Sequence, residues 1–330
     1  MTHIQSDAAL RAAPAPVASS FADRAGALLA AATRLVPALE AGRRIDAHEL
    51  RAAMSHAFEG SDAEGAWDWK TGYDACEAAV ILFLRKYGRT ILARSPASSL
   101  ALIERIAALL PTHTRRSEAG QALQQFSTPP GLAFVSSVAA AIRPADHVLE
   151  PSAGTGMLAI HAELIGADLA LNELAEVRAE LLGHLFPAVP LSCHDAASID
   201  DRLPQTIRPT VVLINPPFSA VAHVDHAMKD AALRHIASAL ARLESRGRLV
   251  AITGSNCAPS APEWRGAFTR LQEQGRILFT AAIDGSVYAK HGTTIATRLT
   301  VIDKIPAEIP VSSRSARVRR PTRQPCSNGC

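Results

Sequence analysis

The sequence predicts an α/β protein in which a helical domain precedes a doubly wound, mostly parallel sheet of seven strands. Two observations lead to this prediction. From His147 onward, short apolar runs alternate with longer segments of helical periodicity, which is typical of parallel strands joined by crossover helices. Before that point, apolar residues recur at helical spacing only. With 330 residues, the chain is long enough to build sizeable cores for both parts.

The first third of the chain is expected to be helical. Residues 1–20 are rich in alanine and proline and predict a flexible lead-in, whereas residues 21–120 predict a helical domain. The segments FADRAGALLAAATRLVPALEAG, DAHELRAAMSHAF and YDACEAAVILFLRKYG each place apolar residues on one face, and Gly88 is suited to close the third helix. Trp67 and Trp69 either anchor helix packing or contact a partner or nucleic acid.

Five short apolar runs mark the first five strands. They are HVLE at 147–150, ADLALNE at 167–173, LSCHD at 191–195, VVLIN at 211–215 and RLVAIT at 248–253. Between them lie helical stretches, namely MLAIHAELIG, LAEVRAELLGHLF and HAMKDAALRHIASALARLESRG. This alternation predicts a parallel sheet that is covered by helices on both faces.

The last part of the sheet is expected to differ from the first. GRILFTAAI at 275–283 and TTIATRLTVIDKI at 293–305 are strand-like and have no long helix between them, which predicts an antiparallel pair at the sheet edge. We therefore place the sheet-bearing domain at 121–305. Residues 306–330 include PVSSRSARVRRPTRQPCSNGC, which carries five arginines and no acid, and they predict a disordered basic tail.

Composition excludes several functional classes. The formal net charge of +3 is too small to indicate a partner. Five cysteines are scattered without paired spacing, which fits a reducing compartment, so we expect a cytoplasmic protein. No uninterrupted apolar stretch is long enough to span a membrane, and no membrane association is expected. The twelve histidines show no ligand-type spacing, so no metal site is predicted.

The stretch EPSAGTGMLA at 150–159 follows the first strand and opens a helix. Gly154 and Gly156 permit a tight turn and a close approach of the backbone to a ligand, and the helix start offers free N–H groups. The glycine spacing also fits a dinucleotide-binding fingerprint, with Glu173 at the distance of a ribose-binding acid. However, the carboxylate of Glu150 ahead of the glycines suits a cationic ligand group better than a pyrophosphate. This favours a ligand other than a dinucleotide.

A second unusual stretch, VVLINPPFSA at 211–220, ends the fourth strand with Asn215, Pro216, Pro217 and Phe218. Prolines stop strands, which explains part of the pattern. It does not explain why an amide and a large aromatic residue flank the two prolines. A dinucleotide-dependent dehydrogenase has no evident use for this segment, which again favours another ligand.

Three motifs together resemble a known family. EPSAGTG at 150–156 is similar to the S-adenosylmethionine loop of amino-group methyltransferases, and NPPF at 215–218 is similar to their catalytic tetrapeptide. QQFSTPP at 124–130 resembles the segment before the first strand in the adenine-N6 subgroup, and the three motifs keep that subgroup's order. The chain also resembles the methyltransferase part of bacterial Strawberry-notch-like proteins. The resemblance implies a Rossmann-like methyltransferase fold that uses S-adenosylmethionine as its cofactor.

The resemblance assigns a role to individual residues. The implied cofactor-binding residues are Phe126, Thr128, Glu150, Pro151, Gly154, Gly156, Glu173 and Asp195, and the implied catalytic residues are Asn215, Pro216, Pro217 and Phe218. Glu150 is expected near the methionine ammonium group, Glu173 at the ribose hydroxyls and Asp195 at the adenine amino group. Phe126 and Thr128 are expected to close over the methionine end.

Some of these positions have plainer explanations. Asp195 is also suited to be a helix N-cap, and Glu173 is also suited to be a charge at a helix start. Tyr288, in YAKHGTTIATRL, either lies near the target as a second aromatic or is a surface hairpin residue.

The chemistry of the NPPF segment follows from the nucleophile it would serve. An amine conjugated to a planar group is a poor nucleophile because its lone pair is delocalised. The Asn215 side-chain oxygen and the Pro216 carbonyl would accept hydrogen bonds from the two N–H groups of the amine. These bonds would favour a tetrahedral nitrogen and stabilise its developing positive charge. Proline stiffness would hold both oxygens in place. Phe218 would stack on the planar target, and a base in a duplex would first have to be flipped out.

We expect methyl transfer to N6 of adenine in nucleic acid, with DNA favoured over RNA, and the resemblance also implies a helicase-type partner. Enzymes that act on RNA bases or on glutamine amide in proteins share the NPPF core, so a protein-glutamine methyltransferase is an alternative. A non-catalytic module that binds S-adenosylmethionine or nucleic acid is another. Only a short tail follows residue 305, so sequence-specific DNA reading would fall to the N-terminal helices, which are not notably basic.

Overall fold

The structure is a computed structural model that describes residues 21–114, 127–217 and 231–305. The predicted lead-in at 1–20 and basic tail at 306–330 lie outside the described residues, as do Phe126 and Phe218. Among the helices of the described part, none combines the length and apolar character needed to cross a membrane.

Four helices form the first third of the described chain. They are α1 (Phe21–Glu40), α2 (Ala47–Ala57), α3 (Trp69–Leu92) and α4 (Pro96–Ala107). The last three begin at polar N-caps, Asp46, Asp68 and Ser95, whose side chains accept a hydrogen bond from the backbone N–H three residues later. The helix α1 packs against α2 and α3. The prediction of a helical N-terminal region is confirmed.

Seven strands form one sheet. They are β1 (His147–Glu150), β2 (Asp168–Asn172), β3 (Leu191–Ser192), β4 (Val211–Ile214), β5 (Arg248–Gly254), β6 (Arg276–Ile283) and β7 (Thr297–Asp303). Their order across the sheet is β3-β2-β1-β4-β5-β7-β6. The first five strands are parallel, and β7 runs antiparallel to both β5 and β6. The predicted mostly parallel sheet with an antiparallel pair at its edge is confirmed.

The strand β3 is shorter than predicted. The expected strand covers 191–195, whereas the observed one ends at Ser192. The reason is the side chain of Asn172, whose Oδ1 accepts hydrogen bonds from the Ser192 hydroxyl at 2.8 Å and from the His194 N–H at 2.9 Å. A side chain thus takes the place of the backbone ladder beyond Ser192.

Within the described residues, six helices flank the sheet. They are α5 (Pro130–Ala140), α6 (Ala159–Ile165), α7 (Glu176–Leu185), α8 (Ile199–Arg202), α9 (Ala231–Arg242) and α10 (Arg265–Leu271). Alternate strand residues point to opposite faces. Val211 and Leu213 join the core formed with α5, α6 and α7, whereas Val212 and Ile214 join the core formed with α8, α9 and α10. The sheet is therefore doubly wound, as predicted.

The N-terminal helices belong to the first of these two cores and lie directly on α6 and α7. The prediction that Gly88 closes α3 is wrong, because the helix continues to Leu92. A Cβ at Gly88 would lie 2.4 Å from Leu164 Cδ1, so the glycine allows α3 to pack closely on α6. The Arg85 guanidinium also pairs with Glu163 at 2.6 Å across this contact.

The two tryptophans near the start of α3 serve packing. Trp67 is buried, and its indole N–H donates to the Gly60 carbonyl at 3.1 Å. Trp69 is half-buried, donates to Asp62 at 2.9 Å and lies edge-on to Trp67. The packing explanation for Trp67 accounts for all of these observations.

Candidate active site

The site predicted from the sequence lies where the winding of the sheet reverses. The strand β1 pairs with β2 on one side and with β4 on the other, with Leu149 opposite Val212. A crevice opens at the carboxyl ends of the strands at such a switch point, and ligands of open α/β sheets bind there. Glu150 closes β1 and Asn215 directly follows β4. Because neighbouring strands lie about 4.8 Å apart, the glycine turn and the NPP segment share this edge.

The glycine turn has two positions in left-handed conformation, Gly154 at φ +58° and Gly156 at φ +93°. A Cβ at Gly154 would meet only the Arg178 Nη1 atom at 3.9 Å, so this face of the turn is open. A Cβ at Gly156 would lie 2.5 Å from Phe186 Cε2, at the end of α7. Gly154 therefore leaves room for the close approach expected from the sequence, whereas Gly156 is required by packing.

Glu150 is buried at the end of β1, with 2% of its surface exposed. Its Oε2 atom is buried without a hydrogen-bond partner among the residues the structure describes. Burial, supported by the nearby charge of Glu173, raises the pKa of Glu150 well above its usual range. A buried acid of this kind is stabilised in its charged form when a cationic group binds beside it.

Glu173 lies directly against the glycine turn. Its Oε2 atom accepts a hydrogen bond from the Gly154 N–H at 2.7 Å, and its Oε1 atom accepts one from the Ala175 N–H at 2.9 Å. The carboxylate thus joins the glycine turn to the start of α7. Glu173 is therefore a charge at a helix start, as weighed in the sequence analysis, and also lies within the candidate active site. Each carboxylate oxygen has a second lone pair, and its use for ribose hydroxyls stays a prediction.

The sequence analysis missed Asn172, which ends β2 and links the segment after β1 to the end of β3. Its Nδ2 atom donates to the carbonyls of Pro151 at 2.8 Å and His194 at 2.9 Å, in addition to the two bonds that Oδ1 accepts near Ser192. Asn172 is fully buried and all four of its hydrogen bonds are made. Pro151, predicted to bind the cofactor, is held in place by this side chain. The sequence feature that could have indicated Asn172 is the apolar strand segment DLALN, which ends in an amide side chain.

Asp195 is exposed, with its side chain at the start of a short 3₁₀ helix, Ala196–Ser198. Its Oδ1 atom accepts a hydrogen bond from the Ala197 N–H at 2.9 Å and lies 3.8 Å from the His235 Nε2 atom. The N-cap explanation weighed in the sequence analysis is therefore observed. Its role at an adenine amino group stays a prediction.

Asn215 is oriented by two hydroxyl groups. Its Nδ2 atom donates to Thr128 Oγ1 at 2.9 Å, and its side chain lies next to the Tyr288 hydroxyl. Tyr288 is fully buried within a second 3₁₀ helix, Gly285–His291, so the alternative of a surface hairpin residue is wrong. Burial raises the pKa of Tyr288, and its phenol is neutral at neutral pH. Thr128 lies beside the predicted catalytic amide, and its expected role in closing over the methionine end of a cofactor stays a prediction.

The two prolines after Asn215 lie at the same edge of the sheet. Pro216 is buried and Pro217 is half-buried. The ring of Pro216 fixes its own φ, so the carbonyl that was predicted to accept from the substrate sits on stiff backbone. The structure therefore brings Thr128, Asn215 and the prolines together beside the carboxyl end of β4, and Glu150, Gly154 and Glu173 together at the carboxyl ends of β1 and β2.

Two acids of α3, Asp74 and Glu77, lie beneath the glycine turn. Asp74 forms a buried ion pair with Arg178, with the Arg178 Nη2 atom 2.6 Å from Asp74 Oδ1. Burial opposes the charge on Asp74, but Arg178 and Lys70 hold its pKa below the usual range. Glu77 accepts a hydrogen bond from the Thr155 hydroxyl at 2.7 Å. Burial and the charge of Asp74 raise the pKa of Glu77 to about 7.

No protein-family model matches the chain, and no curated protein matches it. Solved structures are similar to it at low sequence identity. TrmN from Thermus thermophilus is 18% identical, with a TM-score of 0.41 over 64% of this chain and 68% of that one. A protein of Listeria monocytogenes, named provisionally as a class I S-adenosylmethionine-dependent methyltransferase, is 11% identical, with a TM-score of 0.49 over 88% and 89%.

A third similar structure comes from Vibrio vulnificus. It is the modification subunit of an enzyme that is provisionally named a type I restriction enzyme. It is 16% identical, with a TM-score of 0.45 over 64% of this chain and 50% of that one. None of these similarities identifies a ligand or a substrate of this chain. Its function is therefore inferred from its own residues.

Proposed function

We propose that this chain binds S-adenosylmethionine at the glycine turn and transfers its methyl group to N6 of adenine in nucleic acid, with DNA favoured over RNA. The observation that carries the proposal is the juxtaposition at the switch point. A glycine turn preceded by a buried carboxyl group follows β1, and an amide followed by two prolines follows the adjacent parallel strand β4. A donor and an acceptor would thus meet across neighbouring strands.

The residues at β1 and β2 fit the donor. The buried Oε2 atom of Glu150, which lacks a hydrogen-bond partner within the described residues, suits the methionine ammonium group. The left-handed Gly154 presents an open face, and Glu173 retains lone pairs for the ribose hydroxyls. When bound, S-adenosylmethionine supplies an electrophilic methyl group on its sulfonium.

The residues at β4 fit an amine acceptor. The Asn215 amide oxygen and the Pro216 carbonyl oxygen would accept hydrogen bonds from the two N–H groups of a planar amine. This would free the lone pair of the nitrogen. Thr128 and Tyr288 orient the Asn215 amide, so little ordering is left for the reaction itself. Both oxygens also stabilise the positive charge that develops on the attacked nitrogen. Phe218, outside the described residues, would stack on the base.

Adenine is favoured over the other planar amines by the resemblance of QQFSTPP, and the structure adds a contact to that argument. Thr128 of this motif hydrogen-bonds Asn215, so the motif adjoins the predicted acceptor position. A glutamine amide in a protein offers the same kind of nitrogen and is the alternative acceptor that an experiment has to separate.

A methyl-transfer assay tests the proposal. The chain is incubated with donor labelled by tritium on the methyl group and with DNA, RNA or protein, and the products are digested and separated. We expect label in N6-methyldeoxyadenosine, and none when adenine is replaced by purine, which lacks the N6 amine. Label in glutamine only would overturn the nucleic-acid assignment. Donor binding without transfer to any acceptor would overturn the activity.

The buried carboxyl group predicts that donor binding depends on pH. Because the pKa of Glu150 lies above its usual value in the free chain, the group is protonated over a pH range in which an exposed glutamate is charged. The folded free chain accordingly loses stability as pH rises from the usual glutamate range through this raised pKa. A bound ammonium group favours the carboxylate, so binding releases a proton, and donor affinity rises with pH up to that pKa.

Titration calorimetry in two buffers of different ionisation enthalpy measures this proton. We expect proton release for the wild type and none for Glu150→Gln, whose donor affinity falls by about ten- to a hundredfold, since hydrogen bonds to charged groups contribute about 1.5–3 kcal/mol. Glu180→Gln, at an exposed position of α7, is the matched control and binds normally. Unchanged affinity in Glu150→Gln would remove this carboxyl group from the donor site.

A further inference from the structure

Three metal-ligating side chains from distant parts of the chain converge beside the α3 helix. Glu77 belongs to α3, His113 to the segment after α4, and His291 ends the 3₁₀ helix that contains Tyr288. One potential ligand atom from each of the three residues lies within 4.8 Å of the other two. None of the three residues is among the proposed methyl-donor or acceptor residues, and Glu77 adjoins them through its hydrogen bond with Thr155 of the glycine turn.

Two potential ligand atoms of the cluster are buried without a hydrogen-bond partner among the described residues. Glu77 is 2% exposed, and its Oε1 atom has no hydrogen-bond partner in the part of the chain that the structure describes. The Nδ1 atom of His291 is buried without one in the same sense. Such atoms are costly to bury unless something binds them. Two cations lie nearby and both are engaged. Arg178 is paired with Asp74, and Lys290, which lines the same cavity, donates to the carbonyls of Ala108 and Leu110.

The two histidines are held in place by neighbouring groups. The His113 ring stacks on Tyr73 with 3.9 Å between centroids and an interplanar angle of 7°. The backbone N–H of His113 donates to the Lys290 carbonyl at 2.8 Å. The His291 ring lies edge-on to His113 at 4.9 Å. Burial lowers the pKa of both rings, so both are neutral at neutral pH. The rings are therefore ordered before any ligand binds.

We propose that Glu77, His113 and His291 bind one divalent metal ion of the zinc class. Two imidazole nitrogens and one carboxylate oxygen are a ligand set that zinc accepts, with bond lengths of about 2.0–2.2 Å, whereas magnesium and calcium prefer oxygen ligands only. The ligand atoms of a tetrahedral zinc site lie about 3.4 Å apart, so these atoms, which lie within 4.8 Å of one another, complete the site when side-chain rotations bring them closer by up to about 1.4 Å.

A cavity of about 120 Å³ leaves space for a fourth ligand. Its lining includes all three residues of the cluster together with Pro129, Pro130 and Gly131. This volume accommodates a water molecule on the metal. Zinc sites with three protein ligands and one water are known to be stable arrangements.

The position of the site indicates what the metal does. It joins α3 to the segment after α4 and to the 3₁₀ helix that carries Tyr288, and the Tyr288 hydroxyl lies next to the Asn215 side chain. Thr155 of the glycine turn is bonded to the same Glu77. The metal would thus brace both halves of the predicted active site without taking part in methyl transfer.

Metal analysis of the whole purified chain, with any affinity tag removed, tests this proposal. After equilibration with micromolar zinc and gel filtration, we expect about one zinc per chain by mass spectrometry of the metals. Zinc should raise the melting temperature by several degrees, because a ligand that binds only the folded state stabilises it. Magnesium should do neither. Cobalt should give the visible absorption of a four-coordinate site.

Variants assign the ligands. His113→Ala and His291→Ala should lose the bound zinc and its effect on melting, and Glu77→Gln, which keeps the side-chain shape, provides the same test if a histidine variant fails to fold. His161→Ala removes a different buried histidine, and His184→Ala an exposed one, and both should retain zinc. Substoichiometric zinc in the wild type, or full zinc in the His113→Ala and His291→Ala variants, would overturn the proposal.

Discussion

The Asn215→Ala variant is expected to lower the rate of methyl transfer at least about a hundredfold, the usual consequence of deleting one polar group that stabilises developing charge in a closed site. The deleted amide oxygen is one of the two acceptors proposed for the target amine. Donor affinity should change little, because the proposed donor residues lie on β1 and β2. Single-turnover transfer measures the rate, and calorimetry measures donor binding.

A matched amide provides the control for this variant. Gln274 is exposed between α10 and β6, at the opposite edge of the sheet from Asn215, and Gln274→Ala should retain full activity. Thr128→Val and Tyr288→Phe each remove one hydroxyl that orients the Asn215 amide, and both should give intermediate rates. Full activity in Asn215→Ala would show that the segment after β4 only ends the strand.

The Asp74→Ala variant is expected to lose about 3–5 kcal/mol of unfolding free energy, because it leaves the buried Arg178 guanidinium without its counter-charge. Both members of the pair are at most 6% exposed. The Arg178 Nη1 atom also lies beneath Gly154, so a displaced guanidinium would disturb the glycine turn. Urea unfolding followed by circular dichroism measures the loss.

Two further variants separate the charge from its burial. The double variant Asp74→Met with Arg178→Met replaces both charges by apolar groups and should recover most of the lost stability. Arg43→Ala, which breaks an exposed ion pair with Glu49, should change the unfolding free energy little. If Asp74→Ala were as stable as Arg43→Ala, the buried pair would contribute nothing to the fold.

The sheet was predictable from local features. The apolar runs around Val148 and Val212 are short and continuous, as expected of strands buried on both faces, and the helical segments between them forced parallel connections. The glycine turn and the NPP segment were recognisable because each departs from what a strand end requires. The switch point then brought them together without further information.

The supporting contacts were not predictable, because they depend on residues far apart in the chain. Asp74 and Arg178 are separated by 104 positions, and Thr128 and Asn215 by 87. Only a weak local feature of the sequence indicated that Asp74 is buried, namely that Asp74 shares the apolar face of α3 with Glu77. The end of β3 was misplaced because a side chain, Asn172, competes with the backbone for its hydrogen bonds.

The close seating of α3 on α6 and under the glycine turn limits how this protein can be recombined with others. A chimera whose breakpoint falls between α4 and α5 would separate Asp74 from Arg178 and Glu77 from Thr155. Gly88 would meet a foreign side chain where Leu164 now fits. Working hybrids must therefore inherit α3 and α6 to α7 from the same parent.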